Sequence, residues 1–523
     1  MKLNGLKIIR VVVALLVFSV TLFVFLDFSE IFGPGLKKGI VYPQFIPSLI
    51  GFFKVAGFVS LGFLNILVLT LLFGRVYCSF LCPLGILQDI AGFIKRKFRK
   101  KHYYRFTKPF NWLRYIILGA TTIVLVSGSM LMVNLLDPYS NFGRISVQLF
   151  RPAYIGLNNA GVKLLGYMDN YSLYHVDIKS FDIFTFVFSS VLLLTIIILV
   201  IKHGRLYCNT VCPVGTLLGL CSKGALFKLK IEEPECTGCG LCERVCKAEC
   251  IDIENKKIDE SRCIDCYNCI KACPSNTITY RFAYRKNKPL PEMPADKNRR
   301  KLLAGTFMYF LTVSGLAAFG QKIISPQKKS KIPENKQNPV VPPGALSIEH
   351  FNNTCTACHL CVSACPTKVL QPSLFEYGIS GIMQPMMDYH TSFCNFECNQ
   401  CTKVCPSGAI LKISKAEKIT LQIGIAKFIK KNCIVFTENT DCGACAEHCP
   451  TKAVHMVTYK NGLKIPEVTP DICVGCGACE YACPTLPYKA IYVEGNTVHC
   501  TAEKPVEKPA KKPKEEIDEE FPF

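Results

Sequence analysis

The sequence predicts a membrane α-helical bundle of about five transmembrane helices, with small α+β, cysteine-rich modules on both sides of the bilayer. Three observations carry that prediction. Five apolar stretches reach or approach the length a helix needs to cross the hydrocarbon core. The 31 cysteines fall in regularly spaced groups rather than in an even scatter. The dense basic runs abut apolar stretches instead of spreading along the chain.

Half of the 523 residues are hydrophobic, too apolar for an ordinary soluble chain. Residues 11–26, 55–73, 115–136 and 183–201 read as four spans, and the shorter 302–319 as a fifth. Lys2, Lys7 and Arg10 precede the first span, and no small-residue cleavage site follows it, so an uncleaved helix is expected. A net charge of +22 could point to nucleic acid, but its distribution argues otherwise. Residues 95–108 and 285–301 hold the dense runs, which is the positive-inside pattern of a multi-pass protein of a bacterial cytoplasmic (inner) membrane. With those runs inside, the N-terminus faces the cytoplasm. Everything beyond residue 320 then faces the periplasm.

The helical part, residues 1–228, repeats itself. GRVYCSFLCPLGIL from Gly74 and GRLYCNTVCPVGTLL from Gly204 share the frame G-R-x-Y-C-x3-C-P-x-G-x-L, so a duplicated hairpin is expected. Cys78 and Cys82, like Cys208 and Cys212, stand at i and i+4 on one helix face, and the following proline ends each helix. Four thiols meeting across the repeat offer a further Fe–S or metal centre, a dithiol–disulfide couple, transient Cu(I) binding, or inert packing. Arg75 and Arg205 are expected to anchor at the membrane interface. Asp137, His175 and His203 are the acid–base groups near the surface, and solvated or capping roles are expected for them.

Residues 229–285 contain two copies of C-x2-C-x2-C-x3-C, the spacing of a paired [4Fe–4S] module in which each fourth cysteine serves the other cube. That assigns Cys236, Cys239, Cys242 and Cys273 to one cube, and Cys263, Cys266, Cys269 and Cys246 to the next. Zinc ribbons use two separated pairs instead. After a basic linker (286–301), the fifth helix (302–320) and a flexible linker (321–343) come two more such modules, 344–412 and 413–500. Their expected sets are Cys355, Cys358, Cys361 with Cys405; Cys394, Cys398, Cys401 with Cys365; Cys433, Cys442, Cys445 with Cys483; and Cys473, Cys476, Cys479 with Cys449. The motifs starting at Cys394 and Cys433 have longer first gaps, which a bulged loop can absorb. Six cubes leave Cys221, Cys250 and Cys500 as structural or exposed thiols. Residues 501–523 read as a disordered tail. Arg299 and Arg300 resemble a twin-arginine export signal, a route for folded, cluster-loaded cargo. No C-x-x-C-H is present, so a haem partner would be a separate chain.

On these motifs, residues 1 to about 285 resemble the membrane ferredoxins of the NapH, NosR and CcoG kind. The matching positions are Cys78, Cys82-Pro83, Cys208, Cys212-Pro213, the eight cysteines from Cys236 to Cys273, and the loop DPYSNFGR at 137–144. From about residue 297 the chain resembles the exported four-cluster ferredoxins NapG and MauM, through the RR stretch, V-PPGAL at 341–346 and the cysteine groups. The resemblance implies an electron-transfer subunit, as a component of a quinol dehydrogenase. It would pass electrons from membrane quinol, or a cytosolic donor, to a periplasmic reductase or cytochrome within a membrane complex. An accessory reductase of metal or thiol, acting in assembly of a respiratory metalloenzyme, is the alternative that the CcoG resemblance implies.

Overall fold

The computed structural model describes residues 4–27, 31–55, 61–98, 103–177, 182–232, 235–284 and 337–503. The predicted fifth helix, the twin-arginine pair and most of the tail lie outside the described residues, as do residues 56–60 of the second predicted span.

One helix, α1 (Asn4–Leu26), forms the axis of the molecule. It has 23 residues, so it is about 34 Å long at 1.5 Å per residue. Near its start, Arg10 pairs with Asp89 and faces Cys266 of the first cysteine-rich module. At its end the Phe25 carbonyl accepts from Ser363 Oγ of the second, at 2.7 Å. A single rod thus separates the two sets of cysteines.

Three further helices share those two ends. The helix α4 (Gly62–Phe73) ends at Gly74, packed on Asp265 of the first module. The helix α7 (Asn111–Val126) begins there, with Arg114 Nη2 donating to the Ser261 carbonyl at 3.1 Å. The helix α11 (Ile183–His203) starts at the opposite end, where Thr185 touches Met383. It finishes beside the first module, where Arg205 N donates to the Lys247 carbonyl at 2.9 Å. Asp182 caps α11 by accepting from Thr185 N at 2.9 Å. Val187, Val191, Leu194 and Ile198 form an exposed apolar stripe along it, and Ile8, Val12, Leu15 and Leu16 do the same on α1. Stripes of this kind suit contact with lipid.

The prediction of about five spanning helices is supported in part. Among the described residues two helices are long and apolar enough to cross a membrane, Gly5–Leu26 and Ile183–His203. Within predicted span 55–73 the described helix is the shorter α4. The predicted span 115–136 is broken, because α7 stops at Ser127 and Gly128 takes a left-handed φ of +87°. The chain then folds back into the protein as α8 (Leu131–Leu136) and α9 (Pro138–Ile145). Asp137 caps α9 through Ser140 N at 2.9 Å, a capping role as expected. His175 is exposed, and His203 lies 3.9 Å from Glu249.

Each cysteine-rich part is built from minimal elements. In the first, β1 (Phe227–Ile231) pairs antiparallel with β4 (Ile278–Phe282), and β2 (Ile251–Asp252) with β3 (Lys257–Ile258). Farther on, β5 (Leu370–Pro372) pairs with β6 (Pro385–Met387), β7 (Leu421–Phe428) with β10 (Ile491–Thr501), and β8 (Val454–Thr458) with β9 (Lys464–Val468). Every sheet described has two strands. The end of the predicted flexible linker, residues 337–343, is ordered instead. Val340 and Val341 are buried, and Asn338 O accepts from Gly495 N at 3.2 Å. Two adjacent valines among polar residues supply the apolar anchor that composition averaged away.

Candidate metal centres

The C-x2-C-x2-C loops owe their shape to one backbone device. In all four regular motifs the middle cysteine is flanked by two left-handed residues: Gly238 and Gly240, Asp265 and Tyr267, Ala357 and His359, Gly475 and Gly477. Alternating right- and left-handed residues turn successive N–H groups into one concavity, a nest that suits anions and Fe–S cores. The donor set is all thiol, which is what such cores take. The residues therefore fit the group.

The thiols that perturb one another sort into quartets. Burial pushes Cys242 up to about 11, and its thiol neighbours are Cys273, Cys236 and Cys239. Burial raises Cys269, with Cys266, Cys263 and Cys246 adding to it. The same holds for Cys361 with Cys355, Cys358 and Cys405, and for Cys401 with Cys394, Cys365 and Cys398. Burial lifts Cys445 to about 12, helped by Cys483 and Cys442, and Cys433 feels those same two. Cys479 is raised by burial and by Cys476, Cys473 and Cys449. All six groupings join a triplet to the fourth cysteine of the neighbouring motif. Cys433, Cys442, Cys445 and Cys483 also line a common space of ≈ 20 Å³.

The quartets follow one another through the molecule. Cys239 is exposed at one extreme. The quartet of Cys263, Cys266, Cys269 and Cys246 lies against the helical part, where Lys7, Arg10 and Lys247 face Cys266. At the other end of α1, Gly143 of α9 lies so close to the Cys358 carbonyl that a Cβ would stand 2.3 Å from it. Cys361 also feels Cys401 of the next quartet. Cys394 N then donates to the Cys476 carbonyl at 2.9 Å, joining the two far modules. Of the cysteines without a quartet, Cys250 is buried with its sulfur 3.5 Å from that of Cys246, whereas Cys500 is exposed and Cys221 half-buried.

Between the two ends lies the second thiol group. Cys78, Cys82, Cys208 and Cys212 are all buried. Burial pushes Cys82 up, with Cys208 and Cys78 adding to it, so the two repeats do meet here. Arg75 and Arg205 are not interface anchors: both are fully buried and reach across the repeat. Arg75 Nη2 donates to the Cys208 carbonyl at 3.2 Å, and Arg205 Nη1 to the Cys78 carbonyl at 3.0 Å. Asp89 gathers Arg10, Arg205 and Lys247 on one carboxylate. Residue-type reasoning missed Asp89, Gln88 and both arginines. For the arginines the signal was present, since each occupies the same position in the repeated frame. Among the described residues no three Cys, His, Asp or Glu side chains converge to hold a single metal ion.

The repeat's leading glycines dock the first module. Gly204, at φ +59°, leaves no room for a side chain, because a Cβ would stand 2.3 Å from the Lys247 carbonyl. Gly204→Ala is expected to loosen that module by about 1–3 kcal/mol. Faster proteolysis between residues 235 and 284 would register it, and an unchanged rate would contradict the contact.

Comparisons with known proteins agree on the chemistry. A model described as a 4Fe-4S binding domain matches residues 55–101 and 185–232, the two copies of the helical repeat. Models of a 4Fe-4S dicluster domain match residues 235–277 and 440–486, 354–410, and 259–369. The ferredoxin-type protein NapG of Escherichia coli is 31% identical over 184 residues, 33% of this chain and 76% of NapG. The methylamine utilization ferredoxin-type protein MauM of Methylophilus methylotrophus is 29% identical over 201 residues, 36% of this chain and 83% of MauM. The ferredoxin-type protein NapF of Escherichia coli is 26% identical over 160 residues, 30% of this chain and 88% of NapF. No solved structure matches.

Proposed function

This chain belongs to the NapG family of ferredoxin-type proteins, and on that footing we propose that it conducts electrons from one face of a bacterial inner membrane to the other. It is an iron–sulfur electron-transfer protein with several 4Fe-4S domains. In the proposed arrangement residues 1–228 are a membrane part of the NapH, NosR and CcoG kind, residues 229–285 a cytoplasmic module, and residues 344–412 and 413–500 periplasmic ones. Quinol, or a cytosolic reductant, is the donor, and a periplasmic reductase or cytochrome the acceptor.

One observation carries this reading: the two sets of cysteine quartets stand at opposite ends of α1, which is about 34 Å long. Loaded with iron and sulfide, each quartet supplies a one-electron carrier. The protein's own work is spatial. Its helices hold the quartets in sequence, exclude water between them, and bring the four buried thiols between the two sets.

The test uses intact protein in sealed vesicles, with a membrane-impermeant reductant on the side of residues 235–284. The outer quartets should become reduced in wild type and stay oxidised in Cys82→Ser with Cys212→Ser. Equal reduction in both would take the thiols out of the path, and no reduction in wild type would end the transmembrane reading. In Cys239→Ser one signal of the first module should disappear while those of residues 337–503 remain. Collapse of all signals together would refute modular loading.

A further inference from the structure

We propose that a cavity at the Phe25 end of α1 binds a phosphate group, carried by an anionic phospholipid headgroup or by free phosphate, and that the bound anion bridges the helical part and the module that follows residue 344. The lipid source rests on the transmembrane reading, which puts this end of α1 at a membrane surface. The anion site itself stands on geometry.

The cavity measures ≈ 70 Å³, and its polar lining includes Asp27, Lys37, Arg151, Lys368 and Gln400. It lies where three pieces of the helical part meet the module: the end of α1, the helix α2 (Pro34–Val41) and the start of α10 (Arg151–Gly166). It is not the space of an iron–sulfur core. Such spaces are lined by a whole quartet, as at Cys433, Cys442, Cys445 and Cys483, or at Cys246, Cys263, Cys266 and Cys269. Here, among the described residues, Cys365 alone of its quartet reaches the lining.

Three cations surround one carboxylate. Arg151 is only 5% exposed, and its Nε and Nη2 are buried with no hydrogen-bond partner among the described residues. Open donors on a buried guanidinium are costly. Lys37 is also buried, and Lys368 is half-buried. Asp27 is already engaged, accepting from Lys37 Nζ at 2.9 Å and from the N–H groups of Ile31 and Phe32 at 3.2 Å each. Arg151 faces Cys365 as well as Asp27, so a loaded quartet offsets part of the excess charge without filling the cavity. Pro34 also lines the space, which brings to it the N-terminal end of α2, a helix start with no side-chain cap. That end adds a positive field and suits a bound anion. Size then selects the ligand. A cavity of about 150 Å³ holds benzene, so ≈ 70 Å³ is too small for the ring of a quinol. A tetrahedral phosphate fits, and a guanidinium can hold it through two parallel hydrogen bonds.

The test uses full-length, iron-loaded protein stripped of lipid in a neutral detergent, with dihexanoyl phosphatidylglycerol and inorganic phosphate as separate probes. Native mass spectrometry should count one retained ligand per chain, and Arg151→Gln should weaken binding about tenfold or more. If Arg151→Gln does not accumulate, Lys368→Gln, at a half-buried position, is the second arm and should weaken binding in the same direction. Binding of phosphatidylglycerol without phosphate identifies the lipid, and binding of phosphate as tightly identifies the free anion; both support the site. A bound anion also places negative charge beside Cys365, so the midpoint potential of one EPR signal from residues 337–503 should fall when the ligand is added. No binding of either probe to wild type, or equal binding by wild type and the variants, overturns the proposal. So does an unshifted redox titration at saturating ligand. Variant-sensitive binding of phosphate, in protein whose sealed vesicles pass no electrons, keeps the anion site and removes the transmembrane reading instead.

Discussion

Protein stripped of iron is expected to lose the folded structure of residues 337–503 while the helical part keeps its helices. The reason is the poverty of that region in elements that stand alone. All its sheets are two-stranded, its longest described helix is Ile348–Thr354 with 7 residues, and two-stranded ribbons are marginal in water. Its buried residues include Cys355, Cys361, Cys401, Cys445 and Cys479, which line the quartets, so the inorganic cores occupy the place a hydrophobic centre would otherwise fill. The helical part by contrast has backbone hydrogen bonds closed within each segment. Circular dichroism should show a modest loss of signal. Limited proteolysis should then release fragments from residues 337–503 and spare 61–98 and 182–232. Protection of the far modules in iron-free protein would show that their apolar contacts suffice.

Asp89→Asn is expected to have the second-largest effect, about 3–5 kcal/mol of destabilisation where the first module meets the helices. Asp89 receives Arg10 from α1, Arg205 from the second repeat and Lys247 from the module. Removing its charge leaves three buried cations facing one another, whereas removing any one cation leaves the other pairs intact. Lys247→Met should therefore cost much less than Asp89→Asn. Thermal loss of the first module's EPR signals, measured in detergent for both variants, makes the comparison. Equal losses would mean that Asp89 is satisfied by a single partner.

The ligand chemistry was legible in the sequence because it is local. Three cysteines at x2 spacing must wrap something, and no tertiary information is needed to see it. The nest geometry was half legible: Gly238, Gly240, Gly475 and Gly477 announce left-handed backbone, but Asp265, Tyr267, Ala357 and His359 adopt it without glycine's licence. Arg75 and Arg205 misled because an arginine at the end of an apolar helix usually meets headgroups. Here the partner is the other copy of the repeat, and only tertiary structure reveals it. The third span failed differently. Apolar length ran on to Leu136, but Ser127, Gly128 and Ser129 carry a turn that outweighs hydropathy. The two valines at 340 and 341 were too few to register against a polar stretch.

The inward return of α8 and α9 also bears on energetics. Tyr207, next to Cys208, donates to the Leu136 carbonyl at 3.1 Å and accepts from Asn141 at 2.9 Å, and Gly143 two residues on abuts Cys358. In the proposed transmembrane arrangement this return brings the second repeat close to Cys358, and electrons passing between the two sets of quartets would move through the membrane potential. With the interior negative, an electron moving outward gains about 2.3 kcal/mol per 100 mV. In that proposed orientation the membrane potential adds to the driving force for outward electron flow and opposes inward flow.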